Sequence, residues 1–107
     1  MSRQDLVDQP ADACPHLHQL LAGYFHQDWP LDRDRWEDVV DEFVRESPHS
    51  VVVATADELA DVLDTSLTEP EFAVVLERLG ASVVPDASGL TSAGWLQALL
   101  QRLRSSR

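Results

Sequence analysis

The stretch "PHLHQLLAGYFHQ", residues 15–27, decides the fold class of this 107-residue chain. Pro15 suits the first turn of a helix, where its missing N–H group is not needed. The apolar side chains that follow recur at the i, i+3, i+4, i+7, i+8 spacing of an amphipathic helix. They are Leu17, Leu20, Leu21, Tyr24 and Phe25. The stretch therefore predicts a helix over residues 15–27.

Two further helices are predicted in the segment that follows. "WEDVVDEFV", residues 36–44, repeats the same apolar spacing and predicts a helix over 34–46. Ser47 before Pro48 is typical of an N-cap followed by the first helical residue. The run "VVVAT" after it has a strand-like composition. Because it continues without a turn signal into helical spacing, one helix is predicted over 48–64.

The last two helices are marked by capping signals. The "TEPE" motif that starts at Thr68 is a capping box, in which Thr68 and Glu71 each bond the other's backbone N–H group. Gly80 follows the apolar stripe of this helix, where a residue in the left-handed conformation often ends a helix. Thr91 or Ser92 is expected to cap the final helix, whose last turn contains Arg102 and Arg104. Its apolar stripe is Trp95 or Leu96, then Leu99, Leu100 and Leu103.

These five helices with short connections predict an all-α fold, a single-domain bundle of about five short helices. Residues 1–14 show no periodicity, and we expect them to form a flexible leader. Residues 15–104 are expected to form the helical domain, and residues 105–107 a tail. A chain of this size can bury one modest core without a disulfide or a metal.

The sequence favours a cytoplasmic location. Cys14 is the single cysteine, so no intramolecular disulfide can form, which fits a reducing compartment. The polar, acidic start of the chain lacks the basic and apolar regions of a signal peptide. No apolar run approaches the roughly 18 to 20 residues of a membrane span.

The charge distribution is uneven and narrows the class of partner. The formal net charge is −11, and residues 1–64 carry the whole excess, whereas residues 65–107 are balanced. Nucleic acids and anionic membranes bind cationic surfaces, so both are disfavoured as partners. A basic protein would be attracted to the acidic half of the chain. Solubility alone is the other explanation of this charge.

The motif "HQDW", which begins at His26, contains side chains that could bind a metal ion or transfer a proton. No metal-ligand spacing such as HExxH or CxxC is present, so no metal or other cofactor is predicted. His26 and Asp28 resemble a base and its orienting carboxylate, but two residues apart on a helix they diverge. We favour a structural junction in which they bond backbone groups at a helix end, and we predict no catalytic residue. An enzyme or a metal protein built on this pair is retained as a third hypothesis.

Three segments resemble bacterial immunity proteins of contact-dependent growth inhibition. They are "HLHQLLAGYFHQDW" at 16–29, "WEDVVDEFV" at 36–44 and "LGASVVP…GLTSAGWLQALLQRL" at 79–103, and "HQDW" is the most specific part. The resemblance implies a small helical cytoplasmic protein. It also implies binding to the C-terminal toxin domain of a delivered effector, which blocks the toxin without catalysis.

The expected partner is therefore a cognate toxin domain, with a basic surface, and the free protein is expected to be a monomer or a weak homodimer. The alternative function is an acidic interaction or adaptor module without a toxin. The residues expected to bind the partner are Asp28, Trp29, Asp32, Glu37, Asp38, Asp41 and Glu42. The residues of the structural signature are Tyr24, Phe25, His26 and Gln27. A second acidic edge, the runner-up interface, comprises Asp57, Glu58, Asp61 and Asp64.

Overall fold

The computed structural model describes residues 3–25, 35–65, 67–81 and 89–105. Every regular element in these ranges is a helix, which confirms the all-α class. None of these helices combines the length and the apolar composition that a membrane span requires. The helices are α1 (Arg3–Asp8), α2 (Pro10–Ala13), α3 (Pro15–Tyr24), α4 (Trp36–Glu46), α5 (His49–Leu63), α6 (Glu69–Arg78) and α7 (Ser92–Ser105).

Helix α7 lies at the centre of the bundle and packs against α4, α5 and α6, while α5 also packs against α3. Its inward side chains, spaced as the sequence predicted, are at most 2% exposed; they are Trp95, Leu96, Leu99 and Leu103. Burying such side chains removes apolar area from water and is the main favourable term in folding. The core is therefore built around the most C-terminal helix, and the earlier helices are arranged on it.

Two glutamates cap helices other than their own. Glu58 of α5 accepts the backbone N–H groups of His16 (2.9 Å) and Leu17 (3.0 Å) at the start of α3. Glu69 of α6 accepts the backbone N–H groups of Ser92 (2.7 Å) and Ala93 (3.2 Å) at the start of α7. The first N–H groups of a helix have no partner within it, and a carboxylate there also complements the helix dipole. Each glutamate thus ties two helices together.

Local capping signals are confirmed where they were predicted for α6 and α7. The capping box of Thr68 and Glu71 is present at the start of α6. At its end, Gly80 has φ +82°, and the N–H groups of Gly80 and Ala81 bond carbonyls of the last turn. A Cβ atom on Gly80 would also lie 3.0 Å from the Cβ of Ala22 in α3. Of the two proposed caps of α7, Thr91 accepts the N–H of Gly94 at 2.9 Å.

The segment predicted as a flexible leader, residues 1–14, is helical over most of the part that the structure describes. Residues 3–8 and 10–13 are helical, and Leu6 and Cys14 are fully buried. A repeat of apolar positions cannot be recognised in so short a segment, and α1 contributes only one fully buried side chain, Leu6. Its helices form against the rest of the bundle, a stabilisation that no local pattern reveals. The predicted domain limit at residue 15 is otherwise untested.

The predicted N-cap and first residue of α5 are wrong by one position. Ser47 is extended, as residues before proline prefer, and the extended conformation continues through Pro48 with ψ 149°. Pro48 is therefore the N-cap, and its carbonyl accepts the N–H groups of Val51 and Val52. The strand-like run is helical, as predicted. Helix α3 ends at Tyr24, three residues before its predicted end.

We expect Glu69→Ala to lower the free energy of unfolding by about 1 kcal/mol, because a helix cap is lost. The side chain of Glu77 on the same helix is exposed and makes no hydrogen bond or ion pair with the described residues. Glu77→Ala is therefore the matched control and should change stability by less than about 0.5 kcal/mol. Urea unfolding followed by tryptophan fluorescence measures both variants. Equal losses would show that the carboxylate of Glu69 does not stabilise α7.

The same cap should weaken in acid. Burial disfavours the charged form of Glu69, but hydrogen bonds from Ser92 and Ala93 outweigh it and hold its pKa below the ordinary 4.5. In the unfolded chain the pKa is ordinary, so the stabilisation is complete above pH 4.5 and is lost as pH falls through the lower folded value. The stability difference between wild type and Glu69→Ala should therefore shrink below pH 4.5. A difference that stays constant through acid unfolding would contradict this account.

Candidate functional site: the acidic face of α4

Helix α4 presents opposite faces to the core and to solvent. Val39, Val40 and Phe43 are buried at 3% exposure or less. On the other side lie four carboxylates that we call the α4 acidic face; they are Glu37, Asp38, Asp41 and Glu42. Because the apolar stripe is held against α7, the direction in which these carboxylates point is fixed by the core.

Part of the α4 acidic face is paired with arginines of the same chain. The guanidinium of Arg102 on α7 donates two hydrogen bonds to the Asp41 carboxylate, at 3.0 and 2.6 Å. Arg35, just before α4, donates to Glu37 at 2.9 Å. Two parallel N–H···O bonds hold a carboxylate in a defined orientation. Asp41 therefore braces α4 against α7 as well as contributing charge.

The carboxylate of Glu37 stays ionised at neutral pH. Burial disfavours the charge of Glu37, but the hydrogen bond from Arg35, a backbone hydrogen bond and the charges of Arg35 and Arg102 lower its pKa below the ordinary 4.5. The Asp38 carboxylate is exposed and interacts with Arg35 and Arg102 through its charge, without a hydrogen bond to either. The face thus contains both carboxylates committed to internal pairs and a carboxylate that faces solvent.

Tyr24 of the predicted signature lies at the edge of this face. Its hydroxyl donates to Glu46 of α4 at 2.8 Å, and its ring meets Phe43 edge-on with centroids 5.3 Å apart. Burial, then the hydrogen bond to Glu46, then the charges of Glu46 and Glu42 raise the pKa of Tyr24 to about 12. Tyr24 is therefore a neutral donor to α4 that also covers part of its apolar side.

Phe25, the next signature residue, belongs to the core. It is fully buried and meets Trp95 edge-on at 5.3 Å. Five residues of the predicted site lie outside the described residues; they are His26, Gln27, Asp28, Trp29 and Asp32. The described site therefore consists of the α4 acidic face, its arginine pairs, and the contact between Tyr24 and Glu46.

The runner-up interface, which we call the α5 acidic edge, also contains both a carboxylate bonded within the fold and carboxylates exposed to solvent. Asp57, Asp61 and Asp64 are exposed along one side of α5. Glu58 accepts two N–H groups of α3, and its other oxygen bonds the ring of His16. Glu58 is thus committed to the fold, whereas the three aspartates present their charge to solvent.

Sequence patterns alone did not identify the arginine partners of the face. Arg102 was predictable only as a cation near the end of α7, where it suits the helix dipole. Its partner Asp41 lies 61 positions earlier, and that pairing depends on how the helices pack. Across the described ranges, no three histidine, cysteine, aspartate or glutamate side chains come together in a way that could hold a metal ion.

Tyr24 is the single tyrosine of the chain, so its ionisation can be followed directly by ultraviolet absorbance. We expect a midpoint near pH 12, and a lower one in Glu46→Gln, because the charged acceptor is removed. Glu77→Gln is the matched control and should leave the midpoint unchanged. Circular dichroism at each pH confirms that the helices persist. A wild-type midpoint at the ordinary value of 10 would contradict the contact with Glu46.

Comparison with known proteins assigns the family. No curated protein and no solved structure has significant similarity to the chain. The sequence model of the family described as CdiI immunity protein matches residues 13–103, which include the whole of α3 to α6 and nearly all of α7. A match over most of the chain establishes family membership and agrees with the resemblance seen in the sequence. The chain therefore belongs to the CdiI immunity protein family.

Proposed function

We propose that this protein neutralises the C-terminal toxin domain of a contact-dependent growth inhibition effector by binding it stoichiometrically in the cytoplasm. The observation that carries this proposal is the family match over residues 13–103. The inhibition requires no catalysis, since covering a toxin's active surface is enough to block it. A chain with a net charge of −11 suits a partner with a basic surface.

We propose the α4 acidic face as the centre of the interface, flanked by Asp28, Trp29 and Asp32 of the preceding segment. The face is held rigidly, because Asp41 is bonded to Arg102 and the apolar stripe of α4 is buried. A rigid surface loses little conformational entropy when a partner binds. Ionised carboxylates on it would attract a basic toxin and speed its association.

The carboxylates of this face are expected to contribute unequally to the affinity for the toxin. Asp41 and Glu37 already pair with internal arginines, so a toxin arginine would have to compete with Arg102 or Arg35. Asp38 is exposed and needs no such exchange. A standard interface covers about 800 Å² on each partner, so neighbouring residues must also contribute.

The function is tested by co-expressing this protein with the toxin domain encoded beside its gene. We expect the cells to survive, and the two proteins to be recovered together as a one-to-one complex. A toxin domain from an unrelated effector is the control and should still kill. Death with the adjacent toxin, although the protein is expressed and folded, would contradict the proposal and favour an adaptor module without a toxin.

The interface is tested with two double variants that remove the same charge. Asp38→Asn with Glu42→Gln alters the α4 acidic face, and Asp57→Asn with Asp61→Asn alters the α5 acidic edge. We expect the α4 pair to raise the Kd for the toxin about tenfold or more, mainly through slower association, and the α5 pair to change it much less. Surface plasmon resonance at low and high salt measures both rates.

The choice of positions makes the comparison specific. Asp41 and Glu58 are left intact because each holds helices together, and urea unfolding of both variants checks that the fold is retained. Equal weakening by both variants would indicate only a long-range effect of net charge, which salt screens. Greater weakening by the α5 pair would move the interface to the α5 acidic edge while leaving the neutralising function in place.

A further inference from the structure

The N-terminal helices α1 and α2 lie almost entirely before the region that the family model matches. That region begins at residue 13, whereas α1 and α2 occupy residues 3–13. Both helices pack against α6, and α2 also packs against α3. We call residues 3–13 the N-terminal strap. It is an addition to the five-helix bundle and is held to it by contacts with α6 and α3.

Arg78, in the last turn of α6, holds the end of α1. Its Nη1 donates to the backbone carbonyl of Val7 at 2.7 Å and to that of Asp8 at 3.1 Å. These carbonyls belong to the last residues of α1, where the helix leaves its C=O groups without internal partners. The guanidinium also complements the negative end of the α1 dipole, and it lies 3.8 Å from the Asp8 carboxylate.

The apolar anchor of the strap is small. Leu6 in α1 is fully buried, and Pro10 at the start of α2 is also buried. Helices of six and four residues are far below the length at which a helix is stable alone. The Arg78 contact is open to solvent, since about half of the Arg78 side chain is exposed. Segments with few buried contacts and exposed hydrogen bonds open at low free energy.

We propose that the strap opens as a unit, hinged at Cys14, while the five-helix bundle stays folded, and that Arg78 is the latch that keeps it closed. Cys14 is the point where α2 ends and α3 begins. Opening breaks the two Arg78 hydrogen bonds and exposes Leu6 together with the face of α6 beneath it. The remaining helices keep their packing around α7, whose main partners are α4, α5 and α6.

Cys14 provides a built-in reporter of this opening. It is the single cysteine of the chain and is fully buried in the closed state. Burial, with the nearby charges of Glu58 and Asp61, raises the pKa of its thiol to about 11, so the closed form is unreactive near neutral pH. Labelling of Cys14 by a thiol reagent therefore measures how often the protein opens at this position.

The test uses the full-length chain and compares Arg78→Gln with Arg45→Gln. Both replace an exposed arginine in the last turn of a helix and make the same change in charge, but Arg45 has no polar partner among the described residues. We expect Arg78→Gln to speed the labelling of Cys14 by dithionitrobenzoate roughly five- to tenfold, because two charge-assisted hydrogen bonds are lost. Arg45→Gln should label at the wild-type rate.

Amide hydrogen exchange gives a second readout that does not depend on the thiol. In the wild type, residues 3–13 should exchange faster than α5 and α7, and only their protection should fall in Arg78→Gln. If residues 3–13 exchange at the same rate as α5 and α7, the strap is part of the global unfolding unit and the proposal is wrong. Unchanged Cys14 labelling in Arg78→Gln would equally overturn the role of Arg78. Neither measurement involves a toxin, so the outcome is independent of the proposed function.

Discussion

The burial of Trp95 is the constraint on which the rest of the structure depends. Its ring meets Phe25 edge-on at 5.3 Å and Trp36 at 5.7 Å. These residues come from the end of α3 and the start of α4, so one side chain joins three helices. Two helical turns after Trp95, Arg102 lies on the same side of α7 and meets Asp41. The packing of α7 thus determines both where α4 lies and how its charge is presented.

The acidity of the chain serves two physical purposes that composition cannot separate. Glu58 and Glu69 accept backbone N–H groups at the starts of α3 and α7, where negative charge compensates the helix dipole. At the end of α1, the positive charge of Arg78 compensates the negative end of the helix dipole, and its guanidinium donates to a backbone carbonyl. These charged groups join the ends of helices whose apolar faces already pack together. Only the remaining carboxylates, such as Asp38 and Asp57, present their charge mainly to solvent.

Local patterns predicted what is determined locally. Apolar spacing located the five main helices, and the capping box at Thr68 and the turn at Gly80 followed from neighbouring residues. Contacts between distant residues were beyond such patterns. No local pattern indicated the helices of residues 3–13, which pack against α6, more than fifty positions later. For the same reason, the sequence suggested Glu58 as a surface charge, whereas it caps α3.

On the proposed interface, the different roles of the α4 carboxylates bear on how this protein could change partners. Replacing Asp41 removes both hydrogen bonds that Arg102 donates to it, and replacing Tyr24 removes its contacts with Glu46 and Phe43. Asp38 carries no such structural contact, so substitutions there should alter the charge pattern at little cost in stability. Specificity is a difference between affinities, and like charges facing a wrong partner are an efficient way to create it. A face in which braced carboxylates lie beside an exposed one can therefore keep its shape while its charge pattern changes.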